Sequence, residues 1–370
     1  MRSIIGFGYR NIAKPFLFLQ DPEDVHDRMI SLGERLGGKK SAKNLFSRIF
    51  SYEDAALGMD IAGIHFKNPV GLAAGFDKNA RLTQILPSIG FGFEEIGSIT
   101  LNPCPGNPRP RLYRLPKSQG IIVNYGLANW GADKILENLS LLNFDFPLGI
   151  SIAKTNSKEI TTKEAGIADY KGCFEKVIKS NIGDYITLNI SCPNTYGGEP
   201  FTDPALLKDL FTGLGVLLAS KPVFVKMPAD IGRENLGKLL DICTEYPIKG
   251  AILTNLAKDR TSPSIDREEI GKAIPWGGIS GKPVFAKSND LVSFAYKNFG
   301  KKLAIIGCGG IFNAEDAYKK IKLGASLVQL ITGLIFRGPQ LAGEINRGLV
   351  SLLRRDGFHN IKDAVGAEAG

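Results

Sequence analysis

Tyr185-Ile186-Thr187-Leu188-Asn189-Ile190-Ser191-Cys192-Pro193-Asn194-Thr195 begins as a β-type run and ends in amides, hydroxyls and a thiol. Its first residues are apolar or β-branched, the composition of a strand buried on both faces. The last positions of such a strand are given to something other than packing. A thiol between two amides, with Pro193 fixing the turn behind it, suits a general base or nucleophile held over a planar polar substrate. The competing reading is a turn carrying a buried, inert cysteine.

Seven further runs share this character: Val70–Gly75, Phe91–Thr100, Leu148–Ala153, Val223–Met227, Ala251–Asn255, Leu303–Gly309 and Leu327–Thr332. Most are continuous apolar stretches bounded by Gly, Pro or polar residues. Helical patterns lie between them, at Lys163–Ser180, Pro204–Ser220, Glu234–Glu245, Asn289–Phe299 and Ala314–Leu323, and a last one covers Pro339–Arg355. Eight strand–helix units predict an α/β fold, a (β/α)8 barrel. A doubly wound sheet fits less well, because no G-x-G-x-x-G follows the first strand. Between strands two and three, Pro103, Pro105, Pro108 and Pro110 precede the alternating Arg111–Leu115, which reads as an inserted hairpin or lid over the barrel mouth.

The chain has 370 residues, 44% hydrophobic and 22% charged, with net charge +9. This is ordinary globular composition. The five cysteines (104, 173, 192, 243, 308) form no C-x-x-C pair, which argues against a disulfide framework or zinc site and for a reducing compartment. Three scattered histidines (26, 65, 359) argue against a His-rich metal centre. No basic run is interleaved with aromatics, so no nucleic-acid partner is expected, and no apolar stretch reaches bilayer-spanning length. The N-terminus lacks the pattern of a signal peptide.

Residues 1–50 differ from the rest, with nine Lys/Arg against five Asp/Glu. Asp21-Pro22-Glu23-Asp24 is a helix start, with Asp as N-cap and Pro at the first position. Val25, Met29, Leu32 and Leu36 follow on one face, and Gly37-Gly38 stops the helix. Upstream, Ile4, Ile5, Phe7, Ile12, Phe16, Leu17 and Phe18 form a second apolar segment set among basic residues. The two readings are a helical pair packed on the barrel and a monotopic membrane anchor.

In a barrel, catalytic groups belong at the carboxyl ends of strands. Polar residues gather there: Ala74-Gly75-Phe76-Asp77-Lys78-Asn79, Ser98 and Thr100, Ser151 and Lys154, Asn189, Cys192 and Asn194, Lys226, Thr254 and Asn255, Gly307-Cys308-Gly309-Gly310, and Thr332-Gly333. A Gly-rich turn after strand seven with Thr-Gly after strand eight is the usual phosphate pocket of such barrels, suited to a phosphorylated substrate or a cofactor such as FMN. Lys226, inside an apolar strand, must pair or lose its charge. It could form a Schiff base, hold negative charge on a reduced flavin, or make a structural salt bridge. The amides Asn189, Asn194 and Asn255 favour a planar imide-like ligand.

Five motifs occur in order over residues 68–338: Asn68-Pro-Val-Gly-Leu-Ala-Ala-Gly-Phe-Asp-Lys78, Pro105-Gly-Asn-Pro-Arg-Pro-Arg-Leu112, Asn189–Thr195, Gly277-Gly-Ile-Ser-Gly281, and Ile306-Gly-Cys-Gly-Gly-Ile311 with Gly324-Ala-Ser-Leu-Val-Gln329. Together they resemble the dihydroorotate dehydrogenases. Asp21–His26 and the overall length resemble the membrane-associated, quinone-reducing class 2 branch. The resemblance implies FMN on the barrel and oxidation of (S)-dihydroorotate to orotate in pyrimidine synthesis. By the same resemblance Ala74, Gly75, Ser98, Ser151, Asn189, Lys226, Thr254, Gly281, Gly309, Gly310, Thr332 and Gly333 would hold FMN. Lys78, Asn124, Gly126, Leu127, Asn189, Asn194 and Asn255 would hold the substrate. Cys192 would take the C5 proton and Lys226 would steady the reduced flavin. Residues 1–45 would be the membrane and quinone-access segment, with His26 near the quinone path, and 46–370 the catalytic domain. The expected location is the cytoplasmic face of a membrane, as a peripheral protein.

The chain departs from class 2 at four positions. Cys192 stands where that branch has Ser, as in the soluble class 1 enzymes. With an ordinary pKa of about 8.5, a thiol is a competent base near neutrality. Val123 stands where an Asn binds substrate, with Asn124 beside it. Ser151 replaces a flavin-contacting Asn, and Leu256 a Thr. Fumarate or a partner flavoprotein as acceptor, a related barrel acting on another dihydropyrimidine such as tRNA dihydrouridine, and a non-catalytic flavin binder are the alternatives.

Overall fold

The computed structural model describes residues 2–370, and the side chain of Ile4 lies outside the described residues. Eight parallel strands close into a barrel in sequence order: β1 Val70–Leu72, β2 Phe93–Ile99, β3 Leu148–Ile152, β4 Tyr185–Asn189, β5 Val223–Met227, β6 Ile248–Leu253, β7 Ala304–Cys308 and β8 Leu327–Leu330. β5 matches its apolar run, and every other strand is shorter than its run or offset from it by a few residues. Ser98, Ser151, Asn189, Lys226 and Cys308 lie within the strands, and the polar residues beyond the strand ends are loop and form the mouth.

The barrel interior is not wholly apolar. Glu95, Thr187, Lys226 and Gln329, from β2, β4, β5 and β8, make a buried polar layer. Glu95 Oε2 accepts from Thr187 Oγ1 at 2.8 Å and from Gln329 Nε2 at 3.1 Å. Outside, helices Lys163–Ser180, Pro204–Leu214, Arg233–Glu245, Phe285–Phe299 and Ala314–Lys322 follow β3 to β7, and Leu341–Asp356 closes the ring after β8.

The inserted segment is a hairpin, Leu112–Leu115 with Gly120–Val123, and Gly278–Gly281 from the β6–β7 connection adds a third antiparallel strand. The N-terminal residues form helices α1 (Arg2–Gly8) and α2 (Lys14–Phe18) joined by a π-helical turn, then α3 (Pro22–Gly37) and α4 (Lys40–Phe50). Asp21 caps α3 as expected, its carboxylate accepting from the Glu23 and Asp24 N–H groups. The predicted apolar face of α3 is only partly used. Val25 is buried, but Met29 and Leu32 are 40% and 47% exposed, while Ile30 and the Glu23 carboxylate are buried. Glu23 is drawn in by Arg111, whose guanidinium bonds it directly from the hairpin.

α4 runs through residue 45 and is anchored to the barrel. A Cβ added at Gly343 on Leu341–Asp356 would stand 1.8 Å from the Phe50 carbonyl oxygen. Gly343→Ala should therefore force α4 off its seat and lower stability by about 1–3 kcal/mol, read by urea unfolding. An unchanged midpoint would contradict this packing.

Candidate active site

The strand ends line a solvent-open cavity of about 950 Å³ that shares its lining with a second of about 500 Å³, open solvent included in both. Ala74, Lys226, Asn255, Ser280, Ile331 and Thr332 belong to both walls. The larger space meets Gly75, Ser98, Lys78, Gly126, Leu127, Asn189, Cys192 and Asn194; the smaller meets Thr254, Gly281, Gly309, Gly310 and Gly333. The fold thus gathers nearly all the residues singled out from sequence.

Of the residues assigned to FMN or substrate, Ser151 and Asn124 are not on a cavity wall. Ser151 is fully buried and reaches the site only through Ser98, Oγ to Oγ 2.8 Å. The Asn124 side chain accepts from Asn107 Nδ2 at 3.0 Å, and it is Val123 that lines the cavity.

The polar floor is a connected chain. Asn189 Nδ2 donates to Ser98 Oγ at 2.8 Å, and Asn255 Nδ2 donates to Asn189 Oδ1 at 3.2 Å and to Ser191 Oγ at 3.0 Å. Tyr170 Oη holds the Asn189 carbonyl at 2.7 Å. Asn194 Nδ2 donates to the Val123 carbonyl at 2.9 Å, tying the Cys192 loop to the hairpin. These bonds fix which way each amide faces, so donors and acceptors are presented together.

Cys192 borders the cavity, and burial pushes its thiol up to about 11. The nearby Lys258 works the other way and Glu199 adds to the rise. A substrate-free thiol here is protonated at neutral pH, so it is a weaker base than its residue type alone suggests. Lys78 is the opposite case. Burial draws its ammonium down to about 8 against the pull of Asp27, Glu23 and Asp77. Its Nζ lies 3.2 Å from His26 Nε2 and 3.6 Å from the centre of the Tyr125 ring. His26, on α3, is held neutral by burial and by Lys78 and Arg81.

Lys226 lies 3.9 Å from Glu95 Oε1, both groups buried. Glu95 was not singled out from sequence. Two adjacent acids, Glu94-Glu95, inside an otherwise apolar strand were the available signal. Glu94 faces Asp77, and burial with that neighbouring carboxylate raises its pKa well above the ordinary value.

The sequence model of the dihydroorotate dehydrogenase family matches residues 56–353. The chain is 40% identical over 97% of its length to a dihydroorotate dehydrogenase (quinone) from Haloarcula marismortui, covering 99% of that protein. It is 35% identical to one from Trichodesmium erythraeum, over 97% of this chain and 98% of the other. The structure superposes on Eimeria tenella dihydroorotate dehydrogenase in complex with ferulenol with TM-score 0.85 at 30% identity, covering 98% of both chains.

Glu95→Gln would leave Lys226 buried without a counter-charge. Losing one partner of a buried pair costs about 3–5 kcal/mol, so the urea midpoint should fall clearly. A shift equivalent to under about 1 kcal/mol would mean that Glu95 is not the partner of Lys226.

Proposed function

The chain belongs to the dihydroorotate dehydrogenase family, and from that premise we propose that it oxidises (S)-dihydroorotate to orotate with FMN and passes the electrons to a membrane quinone. The observation that carries this is the convergence of Cys192, Lys78, Asn189, Asn194 and Asn255 on one cavity that also abuts a glycine-rich turn.

The residues fit FMN. A Cβ at Gly281 would lie 2.3 Å from the Gln119 carbonyl, and one at Gly310 2.5 Å from Phe285 Cβ, so the backbone lines the smaller cavity at positions closed to larger residues. Gly309, Gly310 and Gly333 would take the phosphate, and Ala74, Gly75, Ser98, Asn189, Lys226, Thr254, Gly281 and Thr332 the rest, with Ser151 acting through Ser98. Bound FMN supplies a hydride acceptor. Lys78 would bind the substrate carboxylate, its ammonium still mostly charged at neutrality. Asn189, Asn194 and Asn255 would read the imide edge, helped by the backbone at Gly126 and Leu127. Cys192 takes the C5 proton, and Lys226 balances the negative charge that the reaction adds to the pocket. With Val123 on the wall, one amide contact is absent and Asn124 does not replace it through its side chain.

Residues 1–45 supply the quinone and membrane side, and 46–370 the catalytic domain. Phe7, Ile12, Phe16, Leu19, Met29, Leu32 and Leu45 are exposed large apolar groups on the N-terminal helices, ordinarily costly in water. No helix among the described residues is long and apolar enough to cross a membrane. A peripheral protein on the cytoplasmic face is the matching arrangement. Behind those helices the cavity wall is apolar, built from Leu112, Ile121 and Ile335, with His26 beside them.

Two tests follow. Cys192→Ala should slow flavin reduction by saturating dihydroorotate at least about a hundredfold. An unchanged rate in the variant would remove Cys192 as base. Replacing Phe16 and Leu19 by Glu should abolish sedimentation with anionic vesicles and quinone reduction while leaving the dihydroorotate half-reaction intact. Retained quinone reduction would favour a soluble acceptor.

A further inference from the structure

Lys320, on the helix Ala314–Lys322 that follows β7, is wholly buried, and the chemistry above does not use it. Its Nζ donates to Ser288 Oγ and Asn289 Oδ1, each at 2.8 Å, and lies 5.2 Å from the centre of the Phe285 ring. Asp316, one turn back, is already engaged by Lys282 Nζ at 2.6 Å and by the Phe312 N–H at 2.8 Å. Among the described residues, no carboxylate pairs with Lys320 itself. A buried cation needs an opposite charge or it gives up its proton.

What lies in front of Lys320 is the glycine turn. Ser288 Oγ, which accepts from Lys320, reaches the Cys308 carbonyl at 2.8 Å and the Leu253 carbonyl at 3.2 Å. A Cβ at Gly309 would meet Ser288 Cβ at 3.6 Å, and one at Gly307 would meet Lys320 Cδ at 3.0 Å. The lysine therefore stands behind the turn at Gly307, and the next residues, Cys308–Gly310, line the 500 Å³ cavity.

We propose that Lys320 is a positioning residue for the cofactor phosphate, its ammonium set behind the Cys308–Gly310 turn as the counter-charge to a dianion held on the turn's other side. The proposal rests on the FMN reading given above. It accounts for a charge that the protein alone leaves uncompensated, and for the Ser288 link that ties that charge to the turn. In a low-dielectric interior such a charge acts across several ångströms without contact.

Burial draws the Lys320 ammonium down to about 7, with Cys308 and Asp316 pulling it up and Lys282 pushing it down. These three are the other titratable groups facing it, and burial also pushes the Cys308 thiol up. The protonated lysine favours the dianion. Above pH 7 binding must therefore take up a proton, and affinity should fall as pH rises.

The test uses the purified holoenzyme. Release of FMN on dilution is followed by flavin fluorescence between about pH 6.5 and 9, alongside phosphorus NMR of the bound phosphate. Wild type should lose affinity with rising pH, approaching about tenfold per unit, while its phosphorus signal stays that of a dianion. Lys320→Met should bind FMN at least about tenfold more weakly at pH 7, lose the pH slope and show a phosphorus signal that titrates. A flat wild-type profile overturns the proposal even if the variant does not fold. A folded variant with wild-type affinity and phosphorus signal overturns it too. Protein that binds no FMN overturns the cofactor reading and this proposal together. FMN binding without any effect of Lys320 overturns the proposal alone.

Discussion

The side chain and carbonyl of Asn189 tie the barrel to its site. Four partners meet on this one residue: Ser98 at the end of β2, Asn255 beyond β6 and Tyr170 on the helix after β3 come from separate segments, and Ser191 from its own. Barrel closure brings these strand ends into one ring, and the amide then fixes their spacing. With its donor and acceptor both committed to neighbours, Asn189 presents a defined face to the cavity rather than a rotating one. The orientation of Asn255 and, through Ser98, the place of Ser151 follow from it.

Below that floor the barrel carries a second polar layer, Glu95, Thr187, Lys226 and Gln329. Hydrophobic packing alone would not ask for it. The layer holds Lys226 under the shared part of the two cavities, where positive charge is useful to a redox site, and meets the cost of burying it with a fixed carboxylate. Lys320 repeats the pattern one shell out, behind the glycine turn, but with no carboxylate of its own.

Much of this was legible in the sequence. The eight apolar runs gave the barrel because strands buried on both faces show themselves as continuous hydrophobic stretches. The polar residues ending them gave the site because barrel chemistry sits at carboxyl ends. What escaped was set by tertiary contact. Gly278–Gly281 joins the hairpin from a distant loop, which no local pattern encodes. The side chain of Asn124 turns to Asn107, a choice made by a loop packed from another segment. On α3 the apolar face is split, Val25 buried and Met29 and Leu32 exposed, and helical periodicity alone does not decide between a packed and an exposed face. The thiol of Cys192 is raised by its surroundings, and residue type carries no information about that.

If this cavity binds dihydroorotate beside a flavin, the substrate must reduce that flavin without any electron acceptor. Anaerobic titration of the purified wild-type protein with dihydroorotate, followed at the flavin absorbance bands, should give rapid and stoichiometric bleaching. Folded, flavin-loaded protein that stays yellow in excess dihydroorotate would contradict it, and would assign the apolar wall at Val123 and Leu256 to a different dihydropyrimidine.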